Sequence, residues 1–103
     1  MNFLKNFFKP KPVVDFKALV NNGALIVDVR SRDEFQQGHI NGSVNLPLME
    51  LGTHIKELKR KEYAVITVCR SGARSSLAKD LLVKNDVEAY NGGSWLDLKS
   101  RLN

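Results

Sequence analysis

Cys69 is the only cysteine in the chain, and it opens the run Cys69-Arg70-Ser71-Gly72-Ala73-Arg74-Ser75. The residues before it, Tyr63-Ala64-Val65-Ile66-Thr67-Val68, form an apolar strand pattern. The residues after it place Leu77, Leu81 and Leu82 at helix-like spacing. A lone thiol therefore sits at the tip of a strand, in a short loop that leads into a helix. Such a loop turns backbone N–H groups inward, and a helix N-terminus adds partial positive charge. Two arginines flank the thiol in sequence. Only a thiolate is a useful sulfur nucleophile, and an ordinary cysteine has a pKa of ~8.5. Loop amides, helix dipole and guanidinium charge all favour the thiolate and anions beside it. The bland alternative is an inert core thiol, but the residues that follow are polar, basic and glycine-containing. No histidine adjoins Cys69, so a Cys–His pair close in sequence is absent.

The elements that must position this loop follow from hydrophobic pattern. Asp15 can cap a helix whose apolar face is Phe16, Leu19 and Val20, with Gly23 as its stop. Ala24 to Val29 is nearly continuous apolar and reads as a buried strand. Ser31 and Glu34 have capping-box spacing, and the short helix that they open ends at Gly38. Ser43 to Leu46 reads as a short strand closed by Pro47. Leu48, Leu51, Ile55 and Leu58 fit one full helix with a basic outer face. The strand 63–68, the Cys69 loop and a helix over 74–85 come next. Val87 to Tyr90 is a last short strand. Asn91-Gly92-Gly93 turns the chain, and Ser94 caps a final helix with Trp95, Leu96 and Leu98. Strands that alternate with helices imply an α/β fold, a mainly parallel sheet with helices on both faces. In such folds ligands bind at the carboxyl ends of strands, where Cys69 lies.

The chain has 103 residues, enough for a single domain with one core. One cysteine excludes an intramolecular disulfide, and with His39 and His54 as the only histidines no metal site is expected. The formal net charge is +5, partly from Lys5, Lys9 and Lys11 and from Lys56, Lys59, Arg60 and Lys61. No stripe of basic residues interleaved with exposed aromatics suggests nucleic acid; a mild positive field draws small anions. No segment is long and apolar enough to span a membrane, nor does the N-terminal run read as a leader peptide, so a cytoplasmic location is expected. Residues 1–13 read as a basic, apolar N-terminal tail, in which Phe3/Phe7 and Leu4/Phe8 are i,i+4 pairs. Pro10 and Pro12 set it off from a domain over 14–103.

Three blocks then resemble the rhodanese family of sulfurtransferases. The first is Val27-Asp28-Val29-Arg30 with Glu34-Phe35 and Gly38-His39-Ile40-Asn41-Gly42-Ser43-Val44-Asn45-Leu46-Pro47. The second is the loop Cys69 to Ser75, and the third is Asn91-Gly92-Gly93-Ser94-Trp95. The chain has the size of a single-domain member. The resemblance implies a rhodanese-like fold and an active-site cysteine that carries a persulfide. Position by position, Cys69 is the nucleophile, and Arg70, Ser71, Gly72, Ala73 and Arg74 form the substrate-binding loop. It implies thiosulfate or another sulfane donor, release of sulfite, and transfer to cyanide or a thiol; no cofactor is expected. The first block is expected to shape the fold, with His39 structural and no catalysis assigned to Asp28 or Arg30.

The expected mechanism is a double displacement. The Cys69 thiolate attacks the outer sulfur of thiosulfate, sulfite leaves, and the persulfide is held by the N–H groups of residues 70–74. Gly72 permits the tight turn. Arg70 and Arg74 can bind the sulfonate end of the donor, although Arg74 can also serve as a structural ion pair. With no second cysteine in the chain, discharge goes to an external acceptor: cyanide, a small thiol, a dithiol protein or a sulfur-accepting enzyme. Three rivals remain. One is a persulfide carrier dedicated to one protein partner. Another is a non-catalytic binding module of the same fold. The third is a cysteine-type phosphatase or arsenate reductase, whose loop would need five residues between cysteine and arginine; here there are four, and the usual preceding histidine is missing.

Overall fold

Leu25, Ile26 and Val27 follow a left-handed Gly23 and run into Asp28, and they form the first strand, β1 (Leu25–Asp28). Three of its four residues are buried, as a strand covered on both faces requires. The computed structural model describes residues 13–103. In chain order these give helix α1 (Phe16–Asn21), β1, helix α2 (Arg32–Gln37), β2 (Val44–Asn45) and a 3₁₀ helix (Leu48–His54). Then come α3 (Ile55–Lys61), β3 (Val65–Cys69), α4 (Ala73–Lys84), β4 (Ala89–Ser94) and α5 (Trp95–Leu102). The turn expected over Phe3, Leu4, Phe7 and Phe8 and the break at Pro10 and Pro12 lie outside the described residues. No helix among the described residues is long and apolar enough to cross a membrane.

The described strands form one parallel sheet in the order β2-β1-β3-β4. The chain starts in the middle, steps out to β2, then crosses back to β3. The strand order therefore reverses between β1 and β3, and Cys69 ends β3 at that switch point. Side chains alternate between two cores. Val27, Val29, Val65 and Cys69 pack with Leu51, Leu58, Ala78 and Leu82 on one face. Ile26, Ile66 and Val68 pack with Phe16 and Leu98 on the other. The α/β fold with a parallel sheet and helices on both faces is thus as the pattern implies.

Local capping follows the sequence closely. The Asp15 carboxylate accepts the Ala18 N–H at 3.0 Å. Ser31 and Glu34 complete a reciprocal capping box, and Ser94 caps α5. Three expectations need correction. The helix expected across Leu48 to Leu58 divides into the 3₁₀ helix and α3. Gly52 and Thr53 fall in its middle, and the Thr53 hydroxyl donates back to the Glu50 carbonyl at 2.7 Å, in competition with helical bonding. The buried stripe of α4 is Ser75, Ala78 and Leu82, while Leu77 faces outward. Asn91-Gly92-Gly93 is not a turn but part of β4, which pairs with β3 through an irregular step: Thr67 opposes Asn91, and Val68 opposes Gly93.

That step explains Gly92. A Cβ there would lie 2.8 Å from Ile66 Cγ2, 2.9 Å from Val68 Cγ1 and 3.0 Å from the Thr67 carbonyl oxygen. The bulge presses the β4 backbone onto β3, and only glycine fits. Gly92→Ala should lower unfolding stability by about 1–3 kcal/mol through overpacking. The midpoint of denaturant unfolding reads this directly; an unchanged midpoint would show that β3 gives way without cost.

Candidate active site

Cys69 is the last residue of β3, pairs across the sheet with Ser94, and is 1% exposed. Its sulfur would be an unsatisfied charge if ionised there, so the donors around it decide its chemistry. The Gly72 N–H points at Sγ at 3.0 Å, and the Ser75 N–H at 3.4 Å. Gly72 reaches this geometry at φ 102°, in the left-handed region, where a Cβ would be strained. It stands at the N-cap of α4, so the dipole of a twelve-residue helix also points at the sulfur. Burial pushes the Cys69 thiol up. The Ser75 hydroxyl and the N–H groups of Ser75, Gly72 and Ser71 outweigh burial, and the thiol is held below its ordinary value.

Ser75 is the hub of the site. It is fully buried, and its Oγ lies 3.3 Å from Cys69 Sγ, 2.7 Å from Asn91 Oδ1 and 3.1 Å from the Gly72 carbonyl oxygen. A hydroxyl has one proton to give. Beside a neutral thiol, the S–H donates to Ser75 Oγ and the hydroxyl donates to Asn91. Beside a thiolate, the hydroxyl proton turns to sulfur, and Asn91 Oδ1 keeps the Gly93 N–H at 2.9 Å. The Ser75 carbonyl in turn accepts from Thr67 Oγ1 at 2.8 Å. Helix start, β3 and β4 are thereby tied together around one sulfur atom.

The expected loop residues divide by geometry. Gly72 supplies its N–H to the sulfur, the Ser71 N–H adds a smaller downward pull on the thiol, and Ala73 begins α4. Arg70 is exposed, and its side chain takes part in none of the hydrogen bonds or ion pairs among the described residues. The Arg74 guanidinium makes a two-pronged pair with Glu34, with nitrogen–oxygen distances of 2.7 and 3.0 Å. The Arg74 hydrogen bond pulls the Glu34 carboxyl down to about 2, against the effect of burial, and Ser31 assists. Glu34 therefore closes the α2 cap and holds the α4 start with the same carboxylate.

The first sequence block frames the site. Asp28 and Arg30 are both buried and paired at 2.7 Å. The Arg30 Nη2 also donates to the Gly38 carbonyl at 2.7 Å, and its guanidinium lies 4.6 Å from the Trp95 ring centroid. Asn45 Nδ2 donates to the carbonyls of Asp28 and Arg30. His39 stacks on Phe35 with ring centroids 3.7 Å apart, and its Nδ1 lies 2.7 Å from the Phe35 carbonyl oxygen. Beside Arg70 lies a cavity of about 350 Å³, lined by Arg30, Glu34, Gln37, Gly38, Trp95 and Leu96 as well. Glu34, Ser75 and Asn91 were not among the expected site residues. A serine at i of the i, i+3, i+7 buried stripe of α4 is the signal that marks Ser75.

The rhodanese-like domain model matches residues 13–95, and the chain belongs to that family. Thiosulfate sulfurtransferase 18 of Arabidopsis thaliana is 33% identical over 100 residues, which cover 79% of this chain and 73% of that protein. An Escherichia coli rhodanese solved with anions is 30% identical, with a TM-score of 0.66 over 73% of this chain and 91% of that one. A human single-domain sulfurtransferase is 26% identical, with a TM-score of 0.67 over 85% and 97%. The chain spans 79% of the length of one further relative, but 54% and 18% of two others.

Two outcomes follow from this geometry. Ser75→Ala should move the thiolate titration of Cys69 to higher pH and slow its alkylation at neutral pH about tenfold, the effect of one hydrogen bond to a charged group. Ultraviolet titration of the thiolate checks this, and an unmoved inflection would show that the hydroxyl stays on Asn91. The carboxyl of Glu34 is depressed in the folded state, so its pair stabilises above the ordinary value of 4.5 and fades as pH falls towards about 2. Glu34→Gln should therefore cost ~0.5–1 kcal/mol above that range, since the pair is partly exposed, and nothing at its acid end. Unfolding curves at several pH values read the difference; a pH-independent cost would assign it to the cap alone.

Proposed function

We propose that the protein is a thiosulfate sulfurtransferase that works through a persulfide on Cys69. One observation carries the reading: a buried sulfur at a strand end, pointed at by the N–H groups of Gly72 and Ser75. In the first half-reaction the Cys69 thiolate attacks the outer sulfur of thiosulfate. A new S–S bond forms, the old one breaks, and sulfite leaves with the electron pair. The persulfide carries the same single negative charge as the thiolate, so the same donors serve both states. In the second half-reaction an external thiolate or cyanide attacks the outer sulfur, and the electron pair returns to Cys69 Sγ.

In this reading the backbone of residues 70–74 cradles the transferred sulfur, and Arg70 meets the sulfonate of the donor. Arg74 supports the cradle through Glu34, which leaves its guanidinium committed. That commitment, and a loop one residue shorter than a phosphate cradle, argue against a cysteine phosphatase or arsenate reductase. The cysteine and its donors argue against a binding module. The Escherichia coli relative was solved with anions, which supports an anionic substrate class for this chain.

The test is intact mass spectrometry of reduced protein before thiosulfate, after it, and after cyanide, beside Cys69→Ser. The expected result is a gain of one sulfur atom that cyanide reverses and that Cys69→Ser never shows. Loading without multiple turnover on cyanide would identify a carrier that serves one partner. No gain with thiosulfate or a polysulfide would overturn the reading.

A further inference from the structure

The cavity beside the loop is larger than the donor needs. At the ~30 Å³ that a water-sized atom occupies, a five-atom anion such as thiosulfate fills about 150 Å³. The cavity holds about 350 Å³, within the roughly 300–1,000 Å³ range of organic-ligand sites. Its charges are largely spoken for. Arg30 is paired with Asp28, and Glu34 with Arg74. Arg70 alone among the charged lining residues has no partner among the described residues, which leaves one uncompensated cation on the wall. The other walls are the half-buried Trp95 and Leu96, which is 58% exposed although large and apolar. The Arg30 guanidinium against the Trp95 ring and Gly38 beneath its edge fix that ring in place: a Cβ on Gly38 would lie 3.2 Å from Trp95 Cη2.

A fixed aromatic wall, an exposed branched side chain and one guanidinium without a partner among the described residues describe a ligand with an apolar body and one anionic group. We propose that this cavity binds the sulfur acceptor, and that the acceptor is a carboxylate-bearing organic thiol with an aromatic or branched apolar body. The identity of the ligand as an acceptor rests on the sulfur-transfer reading; the binding of such an anion does not. The carboxylate sits on Arg70, and the apolar body lies on Trp95 and Leu96. Its thiolate attacks the outer sulfur of the Cys69 persulfide. The bond from Cys69 Sγ to that sulfur breaks, its electron pair stays on Sγ, and the acceptor leaves as a persulfide. Donor and acceptor then use Arg70 in turn, as a double displacement through one site requires.

Trp95 is the only tryptophan of the chain, so its emission reports on this cavity without any chemistry. Full-length Cys69→Ser protein is titrated with 4-(methylthio)phenylacetate, which has the carboxylate, the ring and a capped sulfur, and with methyl phenyl sulfide, which lacks the carboxylate. The proposal expects a saturable emission change with the carboxylate. Binding should weaken at least tenfold for the uncharged compound, for Arg70→Gln and for Leu96→Glu. Equal response to both compounds, no saturation, or indifference to both substitutions overturns it. In parallel, native protein loaded with polysulfide and checked by mass is discharged with 4-mercaptophenylacetate. Discharge should saturate at the concentrations where the cavity fills. Binding of the carboxylate without saturable discharge overturns the acceptor assignment. A protein that binds the carboxylate but never loads sulfur overturns the sulfur-transfer reading instead, so the two failures are distinct.

Discussion

The structure turns on one constraint: a buried sulfur atom whose ionised form needs fixed donors in place of water. Cys69 is almost wholly enclosed, and a bare charge there would carry a large desolvation penalty. The fold meets this with fixed N–H groups in place of water. That solution dictates the rest of the loop. Gly72 must adopt a left-handed conformation so that its N–H meets sulfur. The residue three positions later must bring both an N–H and a hydroxyl, which Ser75 does. Asn91 must stand where it can take the Ser75 proton in the neutral state. The bulge in β4, with Gly92 pressed on β3, lies in the segment that delivers Asn91 and Gly93 to that spot.

A second layer keeps the loop from relaxing. The α4 start is bolted to α2 by Arg74 and Glu34, forty residues apart in sequence. The α2 end is bolted to β1 by Arg30, whose Nη2 reaches both Asp28 and the Gly38 carbonyl. A buried ion pair contributes little net stability compared with apolar packing, yet loss of one partner strands the other charge. Its use here is positional. Arg30 has few geometries that satisfy Asp28, Gly38 and Trp95 at once, so it sets where the first block sits relative to α5. His39 joins this frame through its stack on Phe35 and the contact of its Nδ1 with the Phe35 carbonyl oxygen.

What the sequence discloses depends on whether a residue acts through near neighbours or distant ones. Capping boxes, the strand ends and the polar, glycine-bearing loop after an apolar run are local, and Asp15, Ser31, Ser94 and Cys69 were all legible. Gly92 and Gly93 read as a turn because two adjacent glycines suit one; their place in a bulge depends on the side chains of Ile66 and Val68 in another strand. Ser75 reads as an ordinary first-turn serine until the helix is laid against β3. Arg74 carries no mark in sequence that its partner is Glu34. Leu77 matches helical spacing with Leu81, but the rotation of α4 is set by Ala78 and Leu82 against the sheet. The helix expected over Leu48 to Leu58 fails for a local reason, Gly52 with Thr53, that spacing of leucines alone does not weigh.

In the proposed double displacement, burial of Cys69 also makes the two half-reactions unequal. Cys69 is 1% exposed, which favours a slender reagent at the bare sulfur. Once a sulfur is added, the reacting atom stands ~2 Å farther along the S–S bond. In such a persulfide the Gly72 and Ser75 N–H groups that point at Sγ would remain beside the charge while access improves. The proposed inorganic donor and bulkier acceptor would then need no moving lid. In the proposed reaction the loop length sets what can load Cys69, and the walls beside Arg70 set what can unload it. On that proposal, selection between acceptors falls to Trp95, Leu96 and Arg70 and not to the cysteine, which would separate the chemistry of this site from its specificity.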